Sequence, residues 1–387
     1  MNNRLSEVAK AFGPAWLVMI ADVDAPSVIA AAETGAVFHY GLIWLLLLLV
    51  VPLFFIQEAA GRIGAVTHQG LGEILRQNYS RRTALLATVP MTLADVVTYI
   101  AEYAGIALGL ELLGIPPIVS VGFAFIVHVF LVYKRKYAFV EGVMLAISAL
   151  LFMSYFACLV FRGVMNYTPF YISSNPSFLL LVAVNVGGLV EPFMPFYQAS
   201  ATAEKKLATV SSSRVETLLG AIANEVLIVI IVMVSSGLSS GLDFVSAQQL
   251  SLGLESVAGQ YAPFLFGVGL FAAGFLALVV ISLASAWGVV EAIGWQKNRA
   301  FLIYLLESIP AVIVTLFLSS DLLTNILKLM LAFVFVLIGP AVIMGLIASS
   351  PKVMGANAST VIWKAAYWLS LFFIVALGAM SMLFSIL

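Results

Sequence analysis

The sequence has little charge and almost no cysteine. Only 10% of its 387 residues are Asp, Glu, Lys or Arg, whereas 63% are hydrophobic, and the mean hydropathy is +1.11. Soluble domains carry about a quarter charged residues, so this composition excludes a soluble globular domain. The single cysteine, Cys158, excludes an intrachain disulfide and argues against a thiolate metal cluster.

Motifs for catalysis are also missing. The sequence contains no HExxH or GxSxG pattern. Its three histidines, His39, His68 and His128, lie near span ends or in loops, where a hydrogen-bonded or solvated role is expected. We therefore predict that the chain is not an enzyme and needs no cofactor. The net charge of −1 says little about partners. We expect no nucleic-acid partner, and nothing requires a protein partner or an oligomer.

What the sequence has is long apolar runs, each near the roughly 20 residues that cross a bilayer as a helix. The alternating pattern of membrane β-strands is absent. No signal peptide is recognised, so the first run is expected to stay in the membrane. We predict an all-α integral membrane protein with eleven transmembrane helices, at about 13–34, 40–61, 84–112, 117–133, 137–162, 178–202, 216–236, 262–293, 300–319, 325–348 and 360–386.

Basic residues between these spans predict the orientation. With the N-terminus in the cytoplasm, all but Arg162 and Lys328 of the 18 basic residues fall on the cytoplasmic side. The cytoplasmic set is Arg4, Lys10, Arg62, Arg76, Arg81, Arg82, Lys134, Arg135, Lys136, Lys205, Lys206, Arg214, Lys297, Arg299, Lys352 and Lys364. We expect a multi-pass protein of the plasma membrane with its C-terminus outside.

The first span carries two aspartates, Asp22 and Asp24, followed at once by Pro26. Charged residues inside a membrane segment usually face a cavity or an ion path. A proline interrupts the helix and frees backbone carbonyls. Carboxylates and free carbonyls together form a hard-oxygen site for a cation. The alternative is a kinked helix whose aspartates reach water at the interface.

The sixth span has the same design. Gly187 and Gly188 weaken the helix, Pro192 and Pro195 interrupt it, and Glu191 lies between. Matched interruptions in two halves indicate a transporter with inverted repeats and a site at mid-membrane; the alternative is two unrelated kinks. We predict one membrane domain with a LeuT-like 5+5 inverted repeat and broken helices 1 and 6. Its repeats cover about 13–162 and 178–319, with helix 10 at 325–348 and an extra helix at 360–386.

Several stretches resemble the NRAMP family of divalent-metal transporters. GPAWLVMIADVDAPSVIAAAETGAVFHYG is similar to the family's first helix, whose Asp-Pro-Gly-Asn break falls on residues 24–27. AGRIGAVTHQGLGEILRQNY, AEYAGIALGLELLGIP, YAFVEG, GVGLFAAG and SSPKVMG follow in the family's order. The resemblance implies an inverted-repeat bundle whose metal lies between the breaks of helices one and six.

By resemblance, Asp24 is the ligating aspartate, with Asp22 beside it and Ser27 where the family has asparagine. The carbonyls of Ala21 and Gly188 fall at the family's two carbonyl-ligand positions. Lipid surrounds the protein, and the divalent ion is its only expected ligand.

Helix six departs from the family. The family's Met-Pro-His-Asn aligns with residues 191–194, so that Glu191 stands in place of the methionine. A thioether suits transition metals, whereas a carboxylate suits Mg²⁺, Ca²⁺ or Mn²⁺. This pattern resembles the NRAMP-related magnesium transporters, which lack the methionine. The alternative is a register shift that makes Met194 the ligand.

The residues for proton coupling are incomplete. Glu102 matches a helix-three glutamate of the family, but Gln198 lies where a helix-six histidine is expected. Glu307 replaces a basic residue of helix nine. Asp95 and Glu102 share one helix face and either line an aqueous path or pair with polar groups between helices.

The predicted function is alternating-access uptake of a hard divalent ion, Mg²⁺ before Mn²⁺, with weak or no proton coupling. The alternatives are a proton-coupled Mn²⁺ or Fe²⁺ importer, a sodium-coupled symporter of a small organic solute, and a cation channel. Carboxylates at the breaks would repel an anionic solute. A channel would usually show filter-like rings in an oligomer.

Overall fold

The computed structural model describes residues 12–133, 137–317 and 333–386, and within these ranges it contains helices and no strands. In chain order the helices are α1 (Pro14–Ala21), α2 (Ala25–Phe38), α3 (Ile43–Thr67), α4 (Leu71–Asn78), α5 (Arg81–Glu111), α6 (Pro117–Val132), α7 (Tyr137–Arg162), α8 (Pro176–Gly187), α9 (Phe193–Glu204), α10 (Val210–Ser235), α11 (Ala247–Ala258), α12 (Ala262–Ile293), α13 (Ala300–Leu316), α14 (Phe333–Ala348), α15 (Pro351–Met354) and α16 (Val361–Ile386). The all-α prediction is confirmed.

Seven of the described helices are long and apolar enough to cross a membrane, and two bent helix pairs raise this number to nine. The two other predicted spans correspond to α6, with 16 residues, and to the interrupted pair α8 and α9. The chain is thus a multi-pass membrane protein. Parts of the predicted ninth and tenth spans, together with Arg4, Lys10, Lys134, Arg135, Lys136 and Lys328, lie outside the described residues.

Helix α12 lies at the centre of the bundle and is buried along most of its length. It packs against α5, α7 and α9, while α10 packs against α1, α2 and α3. The two interrupted pairs, α1 with α2 and α8 with α9, are therefore enclosed by long continuous helices. The first interruption is buried, and so are Leu189, Val190 and Glu191 of the second, whereas Gly188 is exposed. The boundaries of the two sequence repeats stay a prediction.

Close helix approach at the first interruption depends on Gly105 of α5. A Cβ atom at this position would lie 2.1 Å from the Cβ atom of Ala25. Small residues allow membrane helices to pack backbone against backbone. Gly105 thus brings α5 against the start of α2, where the candidate site is formed.

Charged residues also connect the ends of the helices. The Glu58 carboxylate accepts from Arg62 at 3.0 Å and from Arg214 at 2.8 Å. Lys205 donates to Glu141 at 2.6 Å. Ion pairs buried in this way are costly to break, because removing one partner leaves an uncompensated charge. They stabilise the closed packing on the side where the described chain begins.

Candidate metal site

The first interruption separates α1 and α2, which meet at an angle of 54°. In a continuous helix the Ala25 N–H would donate to the Ala21 carbonyl, four residues earlier. Here it donates to Glu102 Oε2 instead, at 3.1 Å. The Ala21 carbonyl therefore loses its helical donor and is available to a ligand. Pro26 has the same effect on the Asp22 carbonyl, since proline has no N–H to donate.

The second interruption separates α8 from α9. The helical donor for the Gly188 carbonyl would be residue 192, which is a proline and carries no N–H. Pro195 likewise removes the helical donor of the Glu191 carbonyl, which accepts instead from Met194 N at 3.1 Å. Of these two carbonyl groups, the one of Gly188 is left without a donor among the described residues.

Three carboxylates meet between the interruptions. Asp24 is 1% exposed, Glu102 0% and Glu191 9%, and the Asp24 carboxylate is close enough to the other two to interact with both electrostatically. Asp24 Oδ1 also accepts from Ser27 N at 2.8 Å. The second oxygens of all three carboxylates are buried without a partner among the described residues. Like charges repel strongly in a medium of low dielectric constant, so this cluster favours a bound cation.

Side chains alone do not complete a metal site here. In the described part of the chain, no three His, Cys, Asp or Glu side chains are arranged to hold a metal ion. An ion between the interruptions would therefore also need the freed carbonyls of Ala21 and Gly188, or water. Carboxylate, carbonyl and water oxygens are the ligands that Mg²⁺, Ca²⁺ and Mn²⁺ prefer.

Met194, the alternative ligand from the register shift, lies at the same interruption and is fully buried. Its Sδ atom accepts a hydrogen bond from Glu191 N at 3.2 Å. In this conformation the sulfur accepts from a backbone N–H, whereas one Glu191 carboxylate oxygen has no partner in the described part of the chain. The geometry favours Glu191 over Met194 as the donor to a metal ion.

Asp22 lies apart from this cluster of carboxylates. Its Oδ2 atom accepts from Asn224 Nδ2 at 2.8 Å, and the same nitrogen donates to Met19 O at 2.6 Å. Asp22 and Ser27 line a cavity with Glu225 of α10. Sequence reasoning missed Glu225, although an acidic residue inside an apolar span is itself a signal of function.

The residues predicted for a proton or ion path fall into separate places. Glu102 belongs to the carboxylate cluster. Asp95 lies near Glu307, and both interact with the Ser285 hydroxyl, which is 2.9 Å from Glu307 Oε1. Gln198 donates to Thr217 Oγ1 at 2.7 Å. Asp95 and Glu102 thus both contact polar groups of other helices, and their part in a proton or ion path stays a prediction.

Two other polar residues near α9 and α12 differ in their surroundings. His128 is fully buried and hydrogen-bonded to the hydroxyls of Tyr103 and Ser282, so its predicted role as a satisfied histidine fits this environment. Glu291 accepts from Ser200 Oγ at 3.1 Å, whereas Lys297 pairs with Glu204. Glu291 is thus held by a buried hydroxyl, and Lys297 by a different carboxylate.

Comparison with known proteins agrees with the family resemblance of the sequence. The family model "Nramp: Natural resistance-associated macrophage protein-like" matches residues 15–384. A protein named divalent metal cation transporter MntH from Caldanaerobacter subterraneus subsp. tengcongensis is 25% identical over 298 residues, which cover 72% of this chain and 71% of the relative.

Solved structures share the fold. The manganese transporter of Eremococcus coleocola, in complex with an aromatic bis-isothiourea compound, superimposes with a TM-score of 0.79 at 18% identity and covers 97% of this chain and 86% of its own. MhsT in complex with L-phenylalanine reaches 0.62 at 13% identity, with 96% and 98% covered. These likenesses support the predicted LeuT-like architecture. Because the family model covers nearly the whole sequence, the chain belongs to the Nramp family.

Proposed function

We propose that the protein transports a divalent metal ion across the membrane by alternating access, with the ion bound between the two interruptions. The observation that carries this proposal is the meeting of Asp24, Glu102 and Glu191 beside carbonyls that have lost their helical donors. Membership of the Nramp family and the name of the MntH relative support the same function.

The proposed ligands are the carboxylates of Asp24 and Glu191 and the carbonyls of Ala21 and Gly188. Ser27 and Asp22 lie close by and can hold water that contacts the ion. This set contains only oxygen atoms, because the sulfur of Met194 accepts from Glu191 N. Hard-oxygen sites suit Mg²⁺, which keeps part of its hydration shell. We therefore place Mg²⁺ first and Mn²⁺ second as the transported ion.

Transport is proposed to proceed without obligatory proton coupling. Asp95 and Glu307 are held between helices through Ser285, and Gln198 offers no titratable group. The membrane voltage supplies about 2.3 kcal/mol per elementary charge per 100 mV, which is enough to draw a divalent cation inward. Because uncoupled transport follows the electrochemical gradient, the sign of the voltage sets this direction. We place the protein in the plasma membrane in the predicted orientation, with the N-terminus in the cytoplasm.

A second candidate is a proton-coupled importer of Mn²⁺ or Fe²⁺. The observation that favours it is the burial of Met194 at the second interruption, where a rotation of its side chain would present a soft sulfur to the ion. The structural neighbour from Eremococcus coleocola is itself named a manganese transporter. A sodium-coupled symporter of an organic solute shares the fold, but the carboxylate cluster would repel a substrate carboxylate.

The test is ion uptake by liposomes that contain the purified full chain. Uptake of Mg²⁺ and Mn²⁺ is measured under an inside-negative voltage while the internal pH is recorded. We expect Mg²⁺ to enter without acidification and Asp24→Asn to reduce uptake at least tenfold. Uptake of Mn²⁺ with acidification, and none of Mg²⁺, would instead establish the second candidate. The exposed residue Glu255 supplies the matched control, Glu255→Gln.

A further inference from the structure

A cavity beside Asp22 adjoins the site between the interruptions. Its polar lining consists of Asp22, Ser27, Asn185, Asn224 and Glu225. The rest is surface from α2, α3, α8 and α10 and from Gly188 and Leu189 of the second interruption. Asp24, Glu102 and Glu191 are not part of the lining. The lining residues of α2 and α8 place the cavity on the side of the interruptions opposite to the start of α1.

The carboxylates of this cavity include an oxygen that has no hydrogen-bond partner among the described residues. Asp22 is 6% exposed and Glu225 is 2% exposed, so both carboxylates are withdrawn from bulk water. Asp22 Oδ1 has no hydrogen-bond partner among the described residues, although Asp22 Oδ2 is held by Asn224. A buried carboxylate oxygen without a partner is costly. Both carboxylates line the cavity, so a cation bound there would contact both.

Asn224 fixes the geometry of this group. Its Nδ2 atom donates to Met19 O as well as to Asp22 Oδ2, which ties α10 to the end of α1. With both amide hydrogens committed, the side-chain oxygen is the only group of Asn224 that can bind a ligand. The three residues therefore offer oxygen atoms alone, on two helices that are held together.

The cavity has room for water as well as an ion. About 50 Å³ is open to the centres of water molecules, whereas one ordered water needs about 10–15 Å³. Divalent ions such as Mg²⁺ give up their waters reluctantly and are often held by one or two carboxylates through a partial hydration shell. The size and chemistry of the cavity match such a hydrated ion.

We propose that Asp22, Glu225 and the side-chain oxygen of Asn224 form an entry site for a hydrated divalent cation, next to the site between the interruptions and with ligands from α10 that the latter does not use. Asp22 is two residues from Asp24, so an ion held here is positioned to lose water and move to the Asp24 cluster. The role as an entry site rests on the proposed transport function, but the binding itself does not.

The test is equilibrium binding of Mn²⁺ to the purified full chain, with bound ions counted by electron paramagnetic resonance. Wild-type protein is expected to show two classes of site. Glu225→Gln should weaken one class at least tenfold and raise the KM for Mn²⁺ uptake severalfold, while Asp24→Asn should remove the other class. Glu255→Gln makes the same change on the exposed surface of α11 and should leave both classes as they are.

The outcomes separate the two proposals. If Glu225→Gln binds Mn²⁺ with wild-type affinity and number, the entry site is wrong, whatever Asp24→Asn does. If Glu225→Gln loses one class and Asp24→Asn loses none, the entry site stands and the site proposed for transport fails. If Glu225→Gln does not elute as a folded protein, Asp22→Asn must lose the same class; two intact classes in that variant overturn the proposal.

Discussion

The carboxylate of Glu216 accepts a hydrogen bond from the backbone N–H of Gly13, with 2.7 Å between Oε1 and the nitrogen. The same oxygen accepts from Trp16 N at 3.0 Å. Glu216 belongs to α10, and the two amides lie at the start of α1, where a helix has unpaired N–H groups and a partial positive charge. This contact holds α1 against α10 and keeps that side of the bundle closed.

Replacing Glu216 with alanine should release α1. Hydrogen bonds to charged groups contribute about 1.5–3 kcal/mol each, and 1.4 kcal/mol corresponds to a tenfold change in an equilibrium. We expect Glu216→Ala to raise the population with α1 displaced at least about tenfold. The measurement is labelling of Val18→Cys by a water-soluble maleimide, in a Cys158→Ser background. Val18 is fully buried in the closed structure, so labelling reports the displacement.

Two controls accompany this experiment. Glu216→Gln keeps an oxygen that can accept from Gly13 N, so its labelling should be much closer to that of the parent protein. Glu255→Ala alters an exposed residue of α11 and should label as slowly as the parent. Equal labelling rates in Glu216→Ala and the parent would show that the carboxylate does not hold α1.

Glu191→Met should change the ion preference. The variant replaces a hard carboxylate with a soft thioether, which binds Mg²⁺ poorly and transition metals better. We expect Mg²⁺ uptake to fall at least tenfold while uptake of Mn²⁺ or Cd²⁺ is kept or increased. The measurement is uptake of each ion by liposomes at equal voltage. The control is Met194→Leu, which removes the sulfur beside Glu191 and should leave Mg²⁺ uptake nearly unchanged. A larger loss in this variant than in Glu191→Met would make Met194 the ligand.

Glu102 should be needed for the stability of the first interruption. It accepts the Ala25 N–H in the core, and Glu102→Leu would leave that donor unpaired at a cost of about 1–3 kcal/mol. Glu102→Gln keeps an oxygen acceptor for the Ala25 N–H and should therefore lose much less stability. Thermal unfolding in detergent, followed by intrinsic fluorescence, compares the two variants. Equal melting temperatures would mean that the Ala25 N–H finds another partner.

Gly105→Ala should disturb the same interruption by steric clash. The new Cβ atom would meet the Ala25 Cβ atom at 2.1 Å, which requires the backbones of α5 and α2 to move apart. We expect a loss of about 1–3 kcal/mol of stability, the usual cost of overpacking, and reduced uptake. Gly122→Ala in α6 is the matched control, because no atom lies within 4 Å of its new Cβ.

A second substitution checks this explanation. Ala25→Gly removes the methyl group that Gly105→Ala would strike, so the double variant should recover most of the lost stability. Failure of the double variant to recover would place the damage elsewhere in α5. Non-additive effects of this kind are expected for residues in direct contact.

The sequence allowed the interruptions to be predicted because their causes are local. Proline lacks an N–H wherever it stands, so Pro26 and Pro192 already indicate which carbonyls lose their donors. Asp24 and Glu191 stand out as charges in apolar spans. The fold class, the two interrupted helices and the family could all be predicted from such local patterns.

The other contacts depend on which helices are neighbours. Three such contacts form only when α5, α10, α12 and α13 are packed together. Glu102 accepts from Ala25, Asp95 and Glu307 share Ser285, and Glu225 lies across a cavity from Asp22. These residues lie 22 to 203 positions apart in sequence. No local pattern can pair them, so the sequence offered alternatives where the structure shows one arrangement.

Pro192 lowers the stability of the protein, but the proposed function depends on it. A substitution such as Pro192→Ala would supply the N–H that the Gly188 carbonyl lacks. The helix would then be continuous at this position, and the melting temperature should rise. The same repair would remove a carbonyl from the proposed ion site. A screen that selects thermostable variants for structural work would therefore enrich inactive carriers, and each stabilised variant should be assayed for transport before it is used.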